Sequence, residues 1–247
     1  MSKYYSVPRT RNLYKPGKSF KVSRSKIDLF LACSRCFYLD RVKGIGRPPG
    51  FPFNLNSAVD HLLKKEFDLH RAKQKAHPMM KAYGLKAVPF EHESMDKWRE
   101  NFVGVQYYHQ PTDLTIFGAV DDLWVDVSGD LIVVDYKATS KDGKVNLNAA
   151  WQIGYKRQME VYQWLMRRNG FEVSNTGYFV YCNGRRDAEA FDGKLEFDID
   201  LLPYEGNDEW VEGTISDLHA CMNLPEIPAA DPECDYCLYR EVVKGVE

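Results

Sequence analysis

Two acidic residues and a lysine lie close together in the middle of this 247-residue chain. Asp121 ends the tetrapeptide Gly118-Ala119-Val120-Asp121, and Asp135 and Lys137 follow in the segment Val133-Val134-Asp135-Tyr136-Lys137. Carboxylate oxygens are ligands that Mg²⁺ and Mn²⁺ prefer in proteins. The pattern therefore predicts a divalent-cation site with a cationic side chain beside it, the arrangement used in metal-ion catalysis.

The surrounding residues predict two β-strands, over 116–127 and 131–137, joined by the turn Ser128-Gly129-Asp130. Side chains alternate between the two faces of a strand. The face that carries Asp121 also carries Leu123, Val125 and Val127, and the face that carries Asp135 and Lys137 also carries Leu131 and Val133. A carboxylate on an inward apolar row is costly unless it is paired or holds a metal.

A cross-strand ion pair on the protein surface is the alternative explanation for Asp135 and Lys137. The apolar neighbours on their face argue against full exposure and favour the metal site. Asp122 falls on the opposite face together with Asp126, so we expect it to be solvated.

Composition and charge limit the class of protein. With 44% hydrophobic residues, the chain can bury a substantial core. A formal net charge of -2 gives no overall positive field that would attract nucleic acid, although a local basic patch is still possible. There is no apolar run of the ~20 residues of a membrane span and no signal-peptide core. We expect a cytoplasmic location without a membrane partner, where the six cysteines indicate metal binding or packing.

Apolar periodicity predicts helices on both sides of the two strands. The predicted helices run from Ser25 toward Cys33, over 55–71, from Ser94 through Phe102, over 148–169 and over 208–222. Residues 176–182 predict another strand, and 44–52, with several Gly and Pro, predict a loop. The expected fold class is α/β, a mixed central β-sheet flanked by helices. We expect residues 23–247 to form one domain, preceded by a basic and aromatic segment over 1–22 that is either a flexible arm or an edge strand.

The motif G-x-x-D followed by D-x-K on the next strand resembles the PD-(D/E)XK nuclease superfamily. Two further motifs resemble its RecB/AddB-like branch, which includes the fourth CRISPR-associated protein family. Ala58-Val59-Asp60-His61 matches the helical histidine of that branch, and Gln158-Met159-Glu160-Val161-Tyr162 matches its Q-x-x-x-Y. These positions occur in the right order over about 100 residues, which is more specific than any one motif.

This resemblance implies a restriction-endonuclease-like core and a role for each matching residue. Asp121, Asp135, the backbone carbonyl of Tyr136 and His61 would hold Mg²⁺ or Mn²⁺. Lys137 would orient or deprotonate the attacking water and stabilise charge on the phosphate. Gln158 and Tyr162, at i and i+4 on one helix face, would contact the DNA backbone or the site lysine.

Helix geometry alone leaves the roles of four residues open. On a helical wheel His61 falls away from the apolar stripe, which includes Val59, Leu62 and Leu63, so it is either a solvated histidine or a ligand. Glu66 falls within that stripe, as a buried acid near the site or as a helix edge. Gln158 and Tyr162 could also be ordinary packing residues of an amphipathic helix.

Four cysteines form two Cys-x-x-Cys pairs, Cys33 with Cys36 and Cys234 with Cys237, which is enough for Zn²⁺ or an iron–sulfur cluster. The RecB/AddB-like branch often carries a [4Fe-4S] cluster on one N-terminal and three C-terminal cysteines. Val243 stands where the last of those would be, and Cys36 is the natural substitute. This departure leaves iron–sulfur and zinc both open. The remaining two cysteines, Cys182 and Cys221, are expected in the core, with Cys221 as a spare ligand.

Basic and aromatic residues are interleaved near the N-terminus, at Tyr4, Tyr5, Arg9, Arg11, Tyr14, Lys15, Lys18, Phe20, Lys21, Arg24 and Lys26. Charge for phosphates and rings for stacking suit single-stranded DNA, and a second basic surface is expected at Lys156, Arg157, Arg167 and Arg168. A solvated face is the alternative for both.

The motifs and the resemblance together predict a metal-dependent DNA nuclease, and an exonuclease rather than an endonuclease. Proteins of CRISPR adaptation or of recombination would be its partners. The rival interpretation is a catalytically silent module of the same fold that binds DNA or a partner protein. In it, zinc bound by the cysteines would join the two ends of the chain.

Overall fold

The computed structural model describes residues 7–50 and 53–246. Within this range the strands are β1 (Phe20–Ser23), β2 (Ala87–Pro89), β3 (Val105–His109), β4 (Leu114–Gly118), β5 (Asp122–Asp126), β6 (Leu131–Thr139), β7 (Thr176–Gly184) and β8 (Phe197–Glu205). The helices are α1 (Arg24–Ala32), α2 (Ser34–Arg41), α3 (Asn54–Arg71), α4 (Pro78–Ala82), α5 (Met95–Arg99), α6 (Ile153–Arg168), α7 (Trp210–Met222) and α8 (Asp235–Lys244). None of the helices in these ranges is long and apolar enough to cross a membrane.

The chain forms two compact units. Of the described residues, the first unit contains 7–50, 106–117 and 209–246, and the second contains 53–105 and 118–208. The second unit holds a five-stranded sheet in the order β2-β5-β6-β7-β8. Its strands are antiparallel except for β6 and β7, which are parallel and are joined through α6. A parallel pair requires such a crossover, because a hairpin cannot return the chain in the same direction.

The two faces of β6 have different partners. Ile132, Val134 and Tyr136 belong to a buried cluster with Phe67 of α3, whose ring stacks on Trp124 of β5 at 5.2 Å between centroids. The alternate side chains, which include Asp135 and Lys137, belong to the other face.

Helix α6 packs closely against the sheet at Gly177 of β7. The Sδ atom of Met159 occupies the space that a side chain at this position would need. A glycine there therefore allows the helix to approach the strand.

The first unit contains the sheet β1-β4-β3, in which Phe20 of β1 pairs in parallel with Leu114 of β4. Ile27 of α1 and Phe37 of α2 are fully buried. β1 (Phe20–Ser23) lies at the edge of this sheet, so the edge-strand alternative holds for these residues. Tyr4 and Tyr5 lie outside the described residues. The fold class is the predicted one, mixed α/β, with two sheets rather than one.

The strand predicted over 116–127 is wrong in its continuity. β4 ends at Gly118 and β5 begins at Asp122, and the two strands belong to different sheets. Asp121 lies in the break, and Val127 is 80% exposed in the turn before β6. The alternation of β-forming residues continues through the break, so the sequence pattern does not reveal that the chain changes sheets.

The bounds of α3 were predicted closely, whereas its buried face and the end of α5 were not. α3 begins one residue before the predicted start, but its buried side chains are Leu63, Phe67 and Arg71, whereas Leu62 is 62% exposed. α5 ends at Arg99 instead of continuing through Phe102, which has a positive φ of 72°. A stripe on a helix shows amphipathicity, but the position of the sheet decides which side is covered.

Candidate active site and cysteine centre

Asp121, directly before β5, is held by three hydrogen bonds. Its Oδ2 accepts the backbone N–H of Tyr136 at 3.0 Å, and its Oδ1 accepts Lys64 Nζ at 3.3 Å. Its backbone carbonyl accepts Arg99 Nε at 3.1 Å. Tyr136 lies between Asp135 and Lys137 in the sequence, so this contact joins Asp121 to the part of β6 that carries both residues.

Asp135 and Lys137 form a buried ion pair on β6. The Asp135 side chain is fully buried, and that of Lys137 is 13% exposed. The surface ion pair that the sequence left open is therefore wrong, because the Asp135 carboxylate is fully buried. A carboxylate taken out of water in this way needs positive charge beside it, from a lysine or from a cation.

Gln158 and Tyr162 of α6 extend from this lysine into the protein. Gln158 Oε1 lies 3.5 Å from Lys137 Nζ, and Gln158 Nε2 donates to the Tyr162 hydroxyl at 3.3 Å. Lys137 Nζ also lies 4.5 Å from the centroid of the Tyr155 ring, a cation–π contact. The helix spacing of four residues thus places both predicted residues in one polar chain that ends on the lysine.

His61 of α3 is exposed. On the same helix, it is Lys64 that contacts Asp121. Lys64 Nζ lies 2.9 Å from Asp60 Oδ2, and it bridges to Asp121 as described above. Burial and the charge of Asp121 raise the pKa of Asp60. Asp60 and Lys64 were missed as site residues, although their i, i+4 spacing signals a pair on one helix face.

Glu66 corresponds to the helix-edge alternative. Its side chain is 54% exposed, and its carboxylate lies 2.9 Å from His77 Nε2.

Asp122 was expected to be solvated, but its side chain is fully buried, so that expectation is wrong. Arg71 and Arg99 form ion pairs with its carboxylate, and the Tyr136 hydroxyl donates to it at 2.8 Å. Burial and the Asp122 charge raise the pKa of Tyr136 well above its ordinary value. Sequence alternation could not find this cluster, because its cations come from α3 and α5, which only the fold brings to the strand.

Cys33, Cys36, Cys234 and Cys237 are brought together in the first unit. Among the described residues they are the one group of three or more metal-ligating side chains whose donor atoms all lie within 4.8 Å of one another. Their Sγ atoms are 3.7 Å apart for Cys33 with Cys237 and 3.7 Å for Cys36 with Cys234. All four are at most 7% exposed. The soft sulfur donors and their spacing fit a bound metal.

The thiols of this group differ in acidity. Burial raises the pKa of Cys33 and of Cys36. Burial also opposes ionisation of Cys234, but hydrogen bonds with Cys33, Cys36 and the backbone N–H groups of Cys237 and Tyr236 lower its pKa to about 7.

The two other cysteines are buried, as expected for core residues. Burial raises the pKa of Cys182 to about 11. Cys221 Sγ lies 3.8 Å from the Ser34 carbonyl oxygen.

Several residues of the two predicted basic surfaces are engaged within the protein. Arg9 and Lys26 both pair with the buried carboxylate of Asp40, at 2.6 and 2.7 Å. Arg167 pairs with Asp208 at 2.6 Å. Part of the charge that the sequence assigned to DNA contact therefore neutralises acids of the chain.

Comparisons with known proteins identify the family. The model of the PD-(D/E)XK nuclease superfamily matches residues 54–242, well over half of the chain and parts of both units. No curated protein matches the chain. Among solved structures, one described as "Crystal structure of SSO0001" is 15% identical, covers 93% of this chain and 87% of its own, and has a TM-score of 0.37. That likeness carries no argument here. The family match shows that the chain belongs to the PD-(D/E)XK nuclease superfamily.

Proposed function

We propose that this protein is a metal-dependent deoxyribonuclease that hydrolyses phosphodiester bonds and acts as an exonuclease. One observation carries the proposal: a fully buried carboxylate, Asp135, is paired with Lys137 on the strand whose backbone holds Asp121. In a chain of this superfamily, two acids and a lysine in that order are the groups expected to perform hydrolysis.

The oxygen donors at this site fit a hard divalent cation. Asp121, Asp135 and the Tyr136 carbonyl would hold Mg²⁺ or Mn²⁺, with His61 as a further ligand. The ion would polarise the phosphate and lower the pKa of a bound water. The bridge from Lys64 to Asp60 and Asp121 supports the assignment, because these carboxylates already attract a positive charge.

The protein side chains would position the water and the charge. Lys137 would orient the attacking water and stabilise negative charge on the phosphate oxygens. The Gln158 amide and the Tyr155 ring restrict where its ammonium group lies. Tyr162, which is 3% exposed, would act through Gln158 rather than on DNA directly.

Within the superfamily, we place the chain nearest to the RecB/AddB-like branch and its CRISPR-associated members. The order of His61, Asp121, Asp135, Lys137 and the Gln158–Tyr162 pair supports this placement. It implies partners in CRISPR adaptation or in recombination, and a metal centre at the four cysteines. We also propose that residues 23–247 act as one nuclease domain.

A groove beside the active-site strand supports a preference for single-stranded DNA. It has a volume of about 380 Å³, and its lining includes Ala138, the residue after Lys137. Its walls include Phe53, which is 76% exposed, Tyr155 and Phe197. Aromatic rings stack on unpaired bases, so an unpaired nucleobase would fit next to a phosphate at Lys137.

The test is degradation of end-labelled single- and double-stranded DNA with Mn²⁺, Mg²⁺ or EDTA. Cleavage should need the cation and should fall by at least about 10²-fold in Lys137→Ala, because the charge at the phosphate is lost. Lys97→Ala is the matched control, since Lys97 is exposed on α5. An exonuclease would release the end label before internal fragments appear. Absence of cleavage with cation binding confirmed would contradict the proposal and favour the silent DNA-binding module.

A further inference from the structure

We propose that the four-cysteine centre holds a single tetrahedral zinc ion and not a [4Fe-4S] cluster. This inference rests on the metal centre named in the proposed function, but it does not depend on nuclease activity. It separates this chain from the pattern that its resemblance to the RecB/AddB-like branch implies.

The spacing of the sulfur atoms decides between the two metals. Zinc–sulfur bonds of ~2.3 Å in a tetrahedron place the sulfur atoms ~3.8 Å apart. The two cross-pair distances, 3.7 Å for Cys33 with Cys237 and 3.7 Å for Cys36 with Cys234, match this edge, and all four sulfurs lie within 4.8 Å. In a four-iron cluster each thiolate binds a different iron, which spreads the sulfurs further apart. The donor atoms therefore surround a space for one ion.

The positions of the cysteines also favour zinc. Cys33 precedes α2 and Cys36 lies in its first turn, and Cys234 and Cys237 repeat this arrangement on α8. The Cys36 backbone N–H donates to Cys33 Sγ at 3.4 Å. Two Cys-x-x-Cys pairs that supply four thiolates are the donor set of closed structural zinc sites. The branch pattern needs a donor at position 243, where this chain has valine.

Arg47 supplies positive charge at the same place. Its Nη2 donates to Cys234 Sγ at 3.2 Å, and its guanidinium carbon lies 4.5 Å from the centroid of the Tyr236 ring. Four thiolates around one Zn²⁺ leave a net charge of about −2 in a buried site. A guanidinium hydrogen-bonded to one sulfur offsets part of that charge.

The test is the metal content of the full chain, purified without oxygen from cells supplied with both iron and zinc. Elemental analysis should give one zinc per chain, and acid-labile sulfide should be absent. The reduced, metal-free protein should bind Zn²⁺ in a 1:1 ratio, and Co²⁺ in its place should give the visible spectrum of a tetrahedral thiolate site. Failure to bind zinc, or four iron and four sulfide per chain after iron and sulfide reconstitution, would overturn the proposal.

Single substitutions test the ligand set without reference to cleavage. Cys36→Ser should release zinc to a chelator at least tenfold faster than the native chain. Cys221→Ser should leave the rate unchanged, because this thiol lies against the Ser34 carbonyl. A release rate in Cys36→Ser equal to that of the native chain would overturn the four-ligand assignment. If zinc binds as expected and no DNA is cleaved, the proposed function fails while the zinc centre stands.

Discussion

Tyr136 and Asp122 are joined by a hydrogen bond of 2.8 Å from the phenol to the buried carboxylate. Through Tyr136 this bond anchors β6, whose backbone N–H at the same residue holds Asp121. Asp122 also pairs with Arg99, and Arg99 Nε donates to the Asp121 carbonyl oxygen. Asp122 thus ties together the two segments that carry the candidate catalytic acids, although it lies on the other side of the strand.

We expect Asp122→Asn to lower the free energy of unfolding by about 3 kcal/mol, because removing one partner of a buried ion pair leaves its charges uncompensated. Partial pairing of Arg71 and Arg99 with Asp68 limits the loss. Urea unfolding measures it. Asp126→Asn is the control on the same strand, since an amide oxygen can still accept the Ser128 and Asp130 N–H groups. Equal stability of the two variants would refute a structural role for the buried cluster.

Gly104 should be less tolerant of alanine than Gly129, although both have positive φ, at 59° and 92°. A side chain at Gly104 would collide with the backbone of Gly118 and Ala119, whereas the space around Gly129 is open. We expect Gly104→Ala to cost at least about 1 kcal/mol more than Gly129→Ala in thermal unfolding. It should also reduce cleavage, because Gly118 begins the segment that leads to Asp121. Indistinguishable melting curves would rule out this close approach.

Asp40 should make stability depend on pH in the acidic range. Burial opposes its ionisation, but hydrogen bonds and charge from Lys26 and Arg41 lower its pKa. A lowered pKa in the folded state contributes stability above the unfolded pKa of about 3.9, and that contribution is lost as the pH falls through the folded value. Asp40→Asn should therefore be less stable than the native chain at pH 7, with the difference shrinking below about pH 3.9.

Urea unfolding at several pH values measures this difference. Asp217→Asn, at an exposed position of α7, is the control and should leave the profile unchanged. A difference between Asp40→Asn and the native chain that stays constant down to pH 3 would contradict the assignment.

Arg47→Met should loosen the metal at the four cysteines. A hydrogen bond to a charged group contributes about 1.5 kcal/mol or more, which corresponds to roughly tenfold faster release of zinc to a chelator. Arg35→Met is the control, because Arg35 donates to the Pro228 carbonyl oxygen rather than to sulfur. Equal release rates in the two variants would show that the guanidinium does not stabilise the centre.

Local chemistry and short spacings could be predicted before the fold was known. The hairpin around Asp135, the bounds of α3 and the grouping of the two Cys-x-x-Cys pairs follow from periodicity and ligand spacing, which act over a few residues. The burial of Asp135 was expected from the apolar residues on its face, although its ion pair with Lys137 was not. In each case the information lies within one strand, one helix or one motif.

Tertiary structure decided the rest, because it depends on which distant segments meet. The change of sheet at Asp121, the burial of Asp122 between cations of two helices and the bridge from Lys64 to Asp121 all depend on contacts between segments that are far apart in the chain. The same is true of the sulfur spacing at Cys33 and Cys237. Sequence patterns name the residue types that can bind a metal, whereas the distances between their donor atoms exist only after the chain has brought those residues together.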